Sequence, residues 1–310
     1  MRTIDFAEKW YFETLAPALE TELGEVAPRI AAGVAGRGSQ CFGYDDEVSL
    51  DHDYGLGLSL WLTEADDLEY GIAIHRIYRK LYKELPAKFT ASARSAGGFD
   101  EHGVTAISAF YRRHTGSPGV PETLEAWLRT PSYAFAEAVN GKVFRDDLGE
   151  FSRIRREIKT NMPANVRLKK LSYHTIMAAQ SGQYNFPRCL KHGENGAAML
   201  ALADFVRHAA EMVFLLNHTF APYYKWIFRA MAELPILPQF ARLLPELLTG
   251  DIPLTDKVSA VETVSGALAG EMRRQQLCGD HGSYLEPYAF DLQSRIADRK
   301  LRNIHIMQEY

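Results

Sequence analysis

The sequence predicts an α+β chain in which a domain mixing strands and helices, residues 1–150, precedes an all-helical domain, residues 151–310. Three observations lead to this. Short apolar runs bounded by glycine turns are confined to the first half, as half-buried or buried strands require. From Phe151 onward strand signals nearly vanish and apolar residues recur at helical spacing. A chain of 310 residues with 46% hydrophobic and 24% charged residues is long enough for two cores and lacks the bias of a disordered chain.

Phe6, Trp10, Leu15 and Leu19 predict an opening amphipathic helix from Ile4 to Leu23, stopped at Gly24. Arg29 to Val34 reads as a short strand that empties into the turn Gly36-Arg37-Gly38-Ser39. Asp51 to Leu62 reads as a second strand, with Asp51 and Asp53 near its start on one face, because side chains two apart in a strand point the same way. A helix is predicted from Asp66 to Leu85. Further strands are predicted over Phe89 to Ala93 and Val104 to Phe110, on either side of Gly97-Gly98. Glu122 to Asn140 predicts two short helices broken at Pro131, and Gly141 to Phe144 a brief extended piece. Helices follow over Glu150 to Lys159, Pro163 to Gln180, Ala197 to His218, Pro222 to Leu234 and Thr255 to Leu277.

Composition narrows the function. A formal charge of −4 gives no global attraction to nucleic acid or to an acidic membrane surface. Cys41, Cys189 and Cys278 are far apart and odd in number, so neither a disulfide framework nor a cysteine zinc site is expected, and a cytoplasmic location is. The N-terminus has no continuous apolar stretch of the secretory kind, and no run reaches the length of a membrane span.

The chemistry concentrates between residues 36 and 55. A glycine turn after a strand can offer backbone N–H groups and the Ser39 hydroxyl to a phosphate, with no side chain at Gly38 to block the approach. Eleven residues intervene before Asp51-His52-Asp53. Two carboxylates on one face are the hard oxygen ligands that Mg²⁺ takes alongside water and substrate phosphates. Together they would position a nucleoside triphosphate for attack at its α-phosphorus. His52, on the opposite face, is expected to pack rather than ligate.

The stretch Gly36 to Gly55 resembles the signature of an uncharacterised bacterial family, domain of unknown function 4037, within the DNA polymerase β-like nucleotidyltransferase superfamily. Ala221-Pro222-Tyr223-Tyr224-Lys225-Trp226, Leu285 to Ala289, and Arg302 to Met307 are similar to it as well. The resemblance implies a nucleotidyltransferase-fold domain with a small mixed sheet flanked by helices, and a helical C-terminal domain that closes over the nucleotide. It assigns Gly38 and Ser39 to the triphosphate and Asp51 and Asp53 to metal. It also expects a third carboxylate on a later strand. The matching stretch, Gly103 to Ser108, contains none, and Asp100 and Glu101 lie just before it.

In the helical half, Asp204, Arg207, His208 and Glu211 share one helix face, which reads either as a polar ion-paired face or as a source of a general base, Glu211 or Asp204. Lys225, between aromatic residues, suits a β- or γ-phosphate or else snorkels beside Trp226, and Arg188 is a second candidate for the nucleotide. The basic runs Arg153 to Lys159 and Arg167 to Lys170 read as solvated faces in preference to nucleic-acid contacts. The expected function is transfer of a nucleoside monophosphate, most simply AMP from ATP with Mg²⁺, to an acceptor hydroxyl on a small molecule, RNA or protein. The alternative is a nucleotide-binding or regulatory protein of the same fold with weak or lost catalysis, pairing with a protein partner. A homodimer is compatible with either.

Overall fold

The computed structural model describes residues 2–46, 55–86, 89 and 102–308. Asp51, His52, Asp53, Asp100 and Glu101 lie outside the described residues, as does the predicted strand at 89–93 apart from Phe89. The architecture is α+β, a four-stranded mixed sheet flanked by helices and a helical C-terminal region. The chain packs as two compact units: residues 1–122 with 134–161, and residues 123–133 with 162–310.

The first unit is built on β1 (Ala31–Val34), β2 (Leu58–Leu62), β3 (Gly103–Ala106) and β4 (Lys142–Arg145), in the order β3-β2-β1-β4. β1 runs antiparallel to both β2 and β4, and β2 runs parallel to β3. Every residue of β1 and β2 is buried, Ser59 included, so both faces of these strands are covered. The parallel β2–β3 pair requires a crossover, and the helix Glu64–Tyr82 supplies it. Thr63 caps that helix: its Oγ1 accepts from the Asp66 N–H at 3.1 Å and donates to the Asp66 carboxylate at 2.8 Å. On the sheet, the Trp61 ring stacks on Phe151 with centroids 3.8 Å apart, and the Tyr111 hydroxyl donates to the Phe151 carbonyl at 2.9 Å. These contacts hold the helix Glu150–Thr160 in this unit.

Three predicted elements differ from those observed. β2 begins at Leu58, later than the predicted strand, because Gly57, with φ of +67°, cannot continue it. β3 ends at Ala106, where the helix Ile107–Thr115 begins, because Phe110, Tyr111 and Thr115 continue a buried face at helical spacing. Pro222 to Leu234 yields only the short helix Ile227–Met231, since turns occupy residues 224–226.

The second unit is arranged around the 22-residue helix Asn195–Leu216, which is apolar on nearly all sides along its C-terminal half and is therefore buried there. The helices Ala164–Ala178, Phe240–Thr249, Leu254–Arg274 and Leu285–Ser294 contribute to the same core. Among the described residues, no helix is long and apolar enough to cross a membrane.

The basic run Arg167 to Lys170 is not a solvated face. The Arg167 guanidinium donates to the Leu215 carbonyl at 2.8 Å and to Gln275 Oε1 at 2.6 Å, and Lys169 is fully buried. The helix carrying them packs against the helices Asn195–Leu216 and Leu285–Ser294, so cations that look surface-bound in sequence are spent on buried carbonyls.

Candidate functional site

The turn after β1 is the part of the predicted phosphate site that the structure describes. Gly36 and Gly38 have φ of +116° and +104°, a region that residues with a Cβ avoid, so both glycines are needed to reverse the chain. Ser39 then opens the short helix Ser39–Phe42, and both Gly38 and Ser39 are partly accessible. The turn is held from behind. The Gly36 N–H donates to Asn140 Oδ1 at 2.9 Å, and Asn140 Nδ2 donates back to the Gly36 carbonyl at 2.7 Å. Cys41 Sγ donates to the Arg37 carbonyl. The Arg37 guanidinium, on the surface, lies 3.4 Å from the Glu137 carboxylate, which His114 also approaches at 3.4 Å.

The chain enters β2 next to this turn. Val34 pairs with Leu58, and a Cβ on Gly57 would stand 3.0 Å from Gln40 Cγ and 3.4 Å from Val34 Cγ1. The chain therefore resumes beside the residue that follows Ser39. β3 holds no carboxylate between Gly103 and Ala106, and Ser108 donates to Glu64 Oε1 at 2.7 Å. Among the described residues no group of three His, Cys, Asp or Glu side chains is arranged for a metal.

In the second unit, the face predicted on the helix Asn195–Leu216 divides by depth. Asp204 and Arg207 form an exposed ion pair at 3.4 Å, worth little, whereas His208 is fully buried. His208 Nδ1 lies 2.9 Å from His174 Nδ1, so a single proton is shared between the two rings. Burial, together with the Arg207 cation, brings the His208 imidazole down to about 3, and burial holds His174 well below its ordinary value. Both rings are neutral at pH 7.

Glu211 is the most perturbed carboxyl in this cluster. Burial pushes it up to about 7, against the opposing pull of Lys170, a hydrogen bond from Ser132 and Arg207. Its Oε2 is buried without a hydrogen-bond partner. Lys170 Nζ donates to the Thr130 carbonyl at 2.9 Å, and burial lowers that amine to about 8. Because the Glu211 carboxyl is harder to ionise folded than unfolded, it adds stability below pH 4.5 that is lost as pH rises through about 7. Glu211→Gln is expected to be more stable than the parent at pH 8, by at most about 3 kcal/mol, and to match it near pH 4. Thermal midpoints of the two proteins at both pH values check this; parallel profiles would refute it.

Lys225 is exposed in the turn before the helix Ile227–Met231. Arg188 is exposed too, with its guanidinium 5.7 Å from the centre of the Tyr184 ring. The neighbours of Glu211 are Lys170, Ser132 and Arg207, whereas Arg188 turns to Tyr184. The sequence carries no direct signal for the roles of Asn140 and Ser132, and it places Arg155 and Lys170 on solvated faces, whereas Arg155 donates to the carbonyls of residues 139–141 and Lys170 to that of Thr130. The Asn140-Gly141 turn signal marks the first of these, but the partners of all four are remote in sequence.

No curated protein matches the chain. Among solved structures, a nucleotidyltransferase-like protein from Exiguobacterium sibiricum 255-15 is similar over 93% of this chain and 91% of its own, at 13% identity and a TM-score of 0.36. Residues 127–227, which contain the Glu211 cluster and the Tyr223 to Trp226 segment, match the model of the family described as Domain of unknown function (DUF4037), the family that the sequence resembles.

Proposed function

We propose that the protein is a nucleotidyltransferase that moves a nucleoside monophosphate, most simply AMP from ATP, to a hydroxyl of an acceptor. The observation that carries this reading is the braced turn Gly36 to Ser39 at the end of β1, with Gly57 and the start of β2 packed beside it. In this reading Gly38 and Ser39 receive the triphosphate on backbone N–H groups and a hydroxyl. Asp51 and Asp53 supply the oxygen ligands that suit Mg²⁺, which when bound neutralises charge on the phosphate oxygens. Within the second unit, Glu211, whose carboxyl is held up to about 7, is the proposed general base, and Lys225 and Arg188 are the proposed phosphate-binding cations.

Incubation with labelled ATP, Mg²⁺ and cell extract tests the proposal. A labelled product is expected, reduced by at least about 100-fold in Asp51→Asn or Asp53→Asn. No product with any nucleotide, or full activity in both variants, would sink it. The absence of a carboxylate on β3 favours a second reading, a nucleotide-binding or regulatory protein without turnover. Calorimetry separates the two: tight nucleotide binding that needs no Mg²⁺ supports the second, and strict metal dependence supports the first.

A further inference from the structure

We propose that Asn140 and Arg155 are positioning residues that set the Gly36 to Ser39 turn for phosphate, an inference that rests on the nucleotide-binding reading above. Glycines at 36 and 38 permit the turn but do not select it, because a residue without Cβ is also the least restricted when unbound. Something else must hold the backbone N–H groups in one orientation. Asn140 meets Gly36 with both ends of its amide, accepting from the N–H and donating to the carbonyl, which ties down the two peptide units that flank Gly36 at the mouth of the turn. Asn140 is in turn fixed by Arg155, whose guanidinium donates to three successive carbonyls: Val139 at 3.1 Å, Asn140 at 2.9 Å and Gly141 at 2.8 Å.

Arg155 spends its donors on backbone oxygens instead of a carboxylate. Burial lowers its affinity for protons, as expected for a cation withdrawn from water without a paired anion. An ion withdrawn in this way is retained at a cost, and the order it gives to residues 139–141 is what it returns. The relay runs from the helix Glu150–Thr160, through the corner before β4, to the turn after β1, entirely within one unit. Preorganised N–H groups bind an anion without first losing backbone freedom, so loosening the relay weakens phosphate binding while leaving the sheet intact.

Two readouts on the full-length chain test this. Amide exchange of Gly36, followed without ligand, is expected to accelerate at least tenfold in Asn140→Ala while the thermal midpoint moves little. In calorimetry with ATP and Mg²⁺, the same variant is expected to bind about tenfold more weakly than the parent. Asn140→Asp, which keeps an acceptor for the Gly36 N–H, recovers part of both. Arg155→Lys, with a point charge in place of the fork, gives an intermediate loss and covers the case in which Arg155→Ala does not fold. Unchanged Gly36 exchange in Asn140→Ala overturns the brace. Equal nucleotide affinity in parent and variant overturns the positioning role. Failure of the parent to bind any nucleotide overturns the nucleotide-binding reading and the phosphate role with it, while the exchange result still decides whether the brace exists.

Discussion

Gly141→Ala is expected to cost the sheet-containing unit at least about 3 kcal/mol, enough to leave much of it unfolded at 37 °C. Gly141 has φ of +69°, which strains any residue with a Cβ, and the added methyl would overlap the Val34 carbonyl and sit 3.2 Å from Ala35 Cα. Neither neighbour can step aside. Val34 is fully buried and paired to Leu58 on one side and Lys142 on the other, so displacing it breaks two ladders of a four-stranded sheet. The Gly141 carbonyl also accepts from Arg155, so the disturbance reaches the turn at Gly36 through the relay. Urea unfolding followed by tryptophan fluorescence measures the loss when Trp127 and Trp226 of the other unit are replaced by phenylalanine, which leaves Trp10 and Trp61 to report on this unit. A variant within about 1 kcal/mol of the parent would show that β1 and β4 have room between them.

Lys169→Met is expected to destabilise the helical unit by about 2 to 4 kcal/mol and to release the C-terminal segment. The fully buried ammonium donates to Gln293 Oε1 at 3.0 Å, to the Ile304 carbonyl at 3.0 Å and to the His305 carbonyl at 3.1 Å. Methionine retains the bulk and removes every donor, so the His305 carbonyl loses this partner while Gln293 Oε1 and the Ile304 carbonyl keep only the Ser172 hydroxyl and Gln293 Nε2. Cleavage by trypsin after Lys300 or Arg302 is expected to become faster than in the parent; unchanged cleavage would contradict the tether. Burial also lowers Lys169 to about 8. Unfolded, the amine keeps its proton to about 10.5, so between pH 8 and 10.5 the unfolded chain binds more protons and this group's contribution to stability rises with pH. Denaturation midpoints at pH 7.5 and 10 therefore show a smaller pH dependence in Lys169→Met than in the parent.

Particular elements show how far the sequence could be read. Ala31 to Val34 was legible as a strand because small apolar residues run into a glycine turn, and Leu58 to Leu62 because Leu, Trp and Leu dominate a short run that begins just after Gly57. The turn at Gly36 to Ser39 was legible for the same reason, since two glycines two apart after a strand leave few alternatives. The helix Ile107–Thr115 was read as strand because Ile107 and Phe110 continue the apolar run of β3, and a short apolar run carries either period. The helices Phe240–Thr249 and Leu285–Ser294 were passed over, each with a proline within its span, Pro245 and Pro287.

Local pattern thus determined the α+β class, the glycine turn after the first strand and the helical character of the second half, because each depends on residues only a few positions apart. The tertiary structure alone decided that Asn140 and Arg155 stand behind that turn, more than one hundred residues along the chain. It alone turned Arg167 and Lys169 from an apparent basic surface into buried donors, and raised the Glu211 carboxyl by burying it, against the pull of Lys170. The reason is the same in each case. Desolvation and the direction of a hydrogen bond are set by what folds against a residue, and the order of residues in the chain does not carry that information.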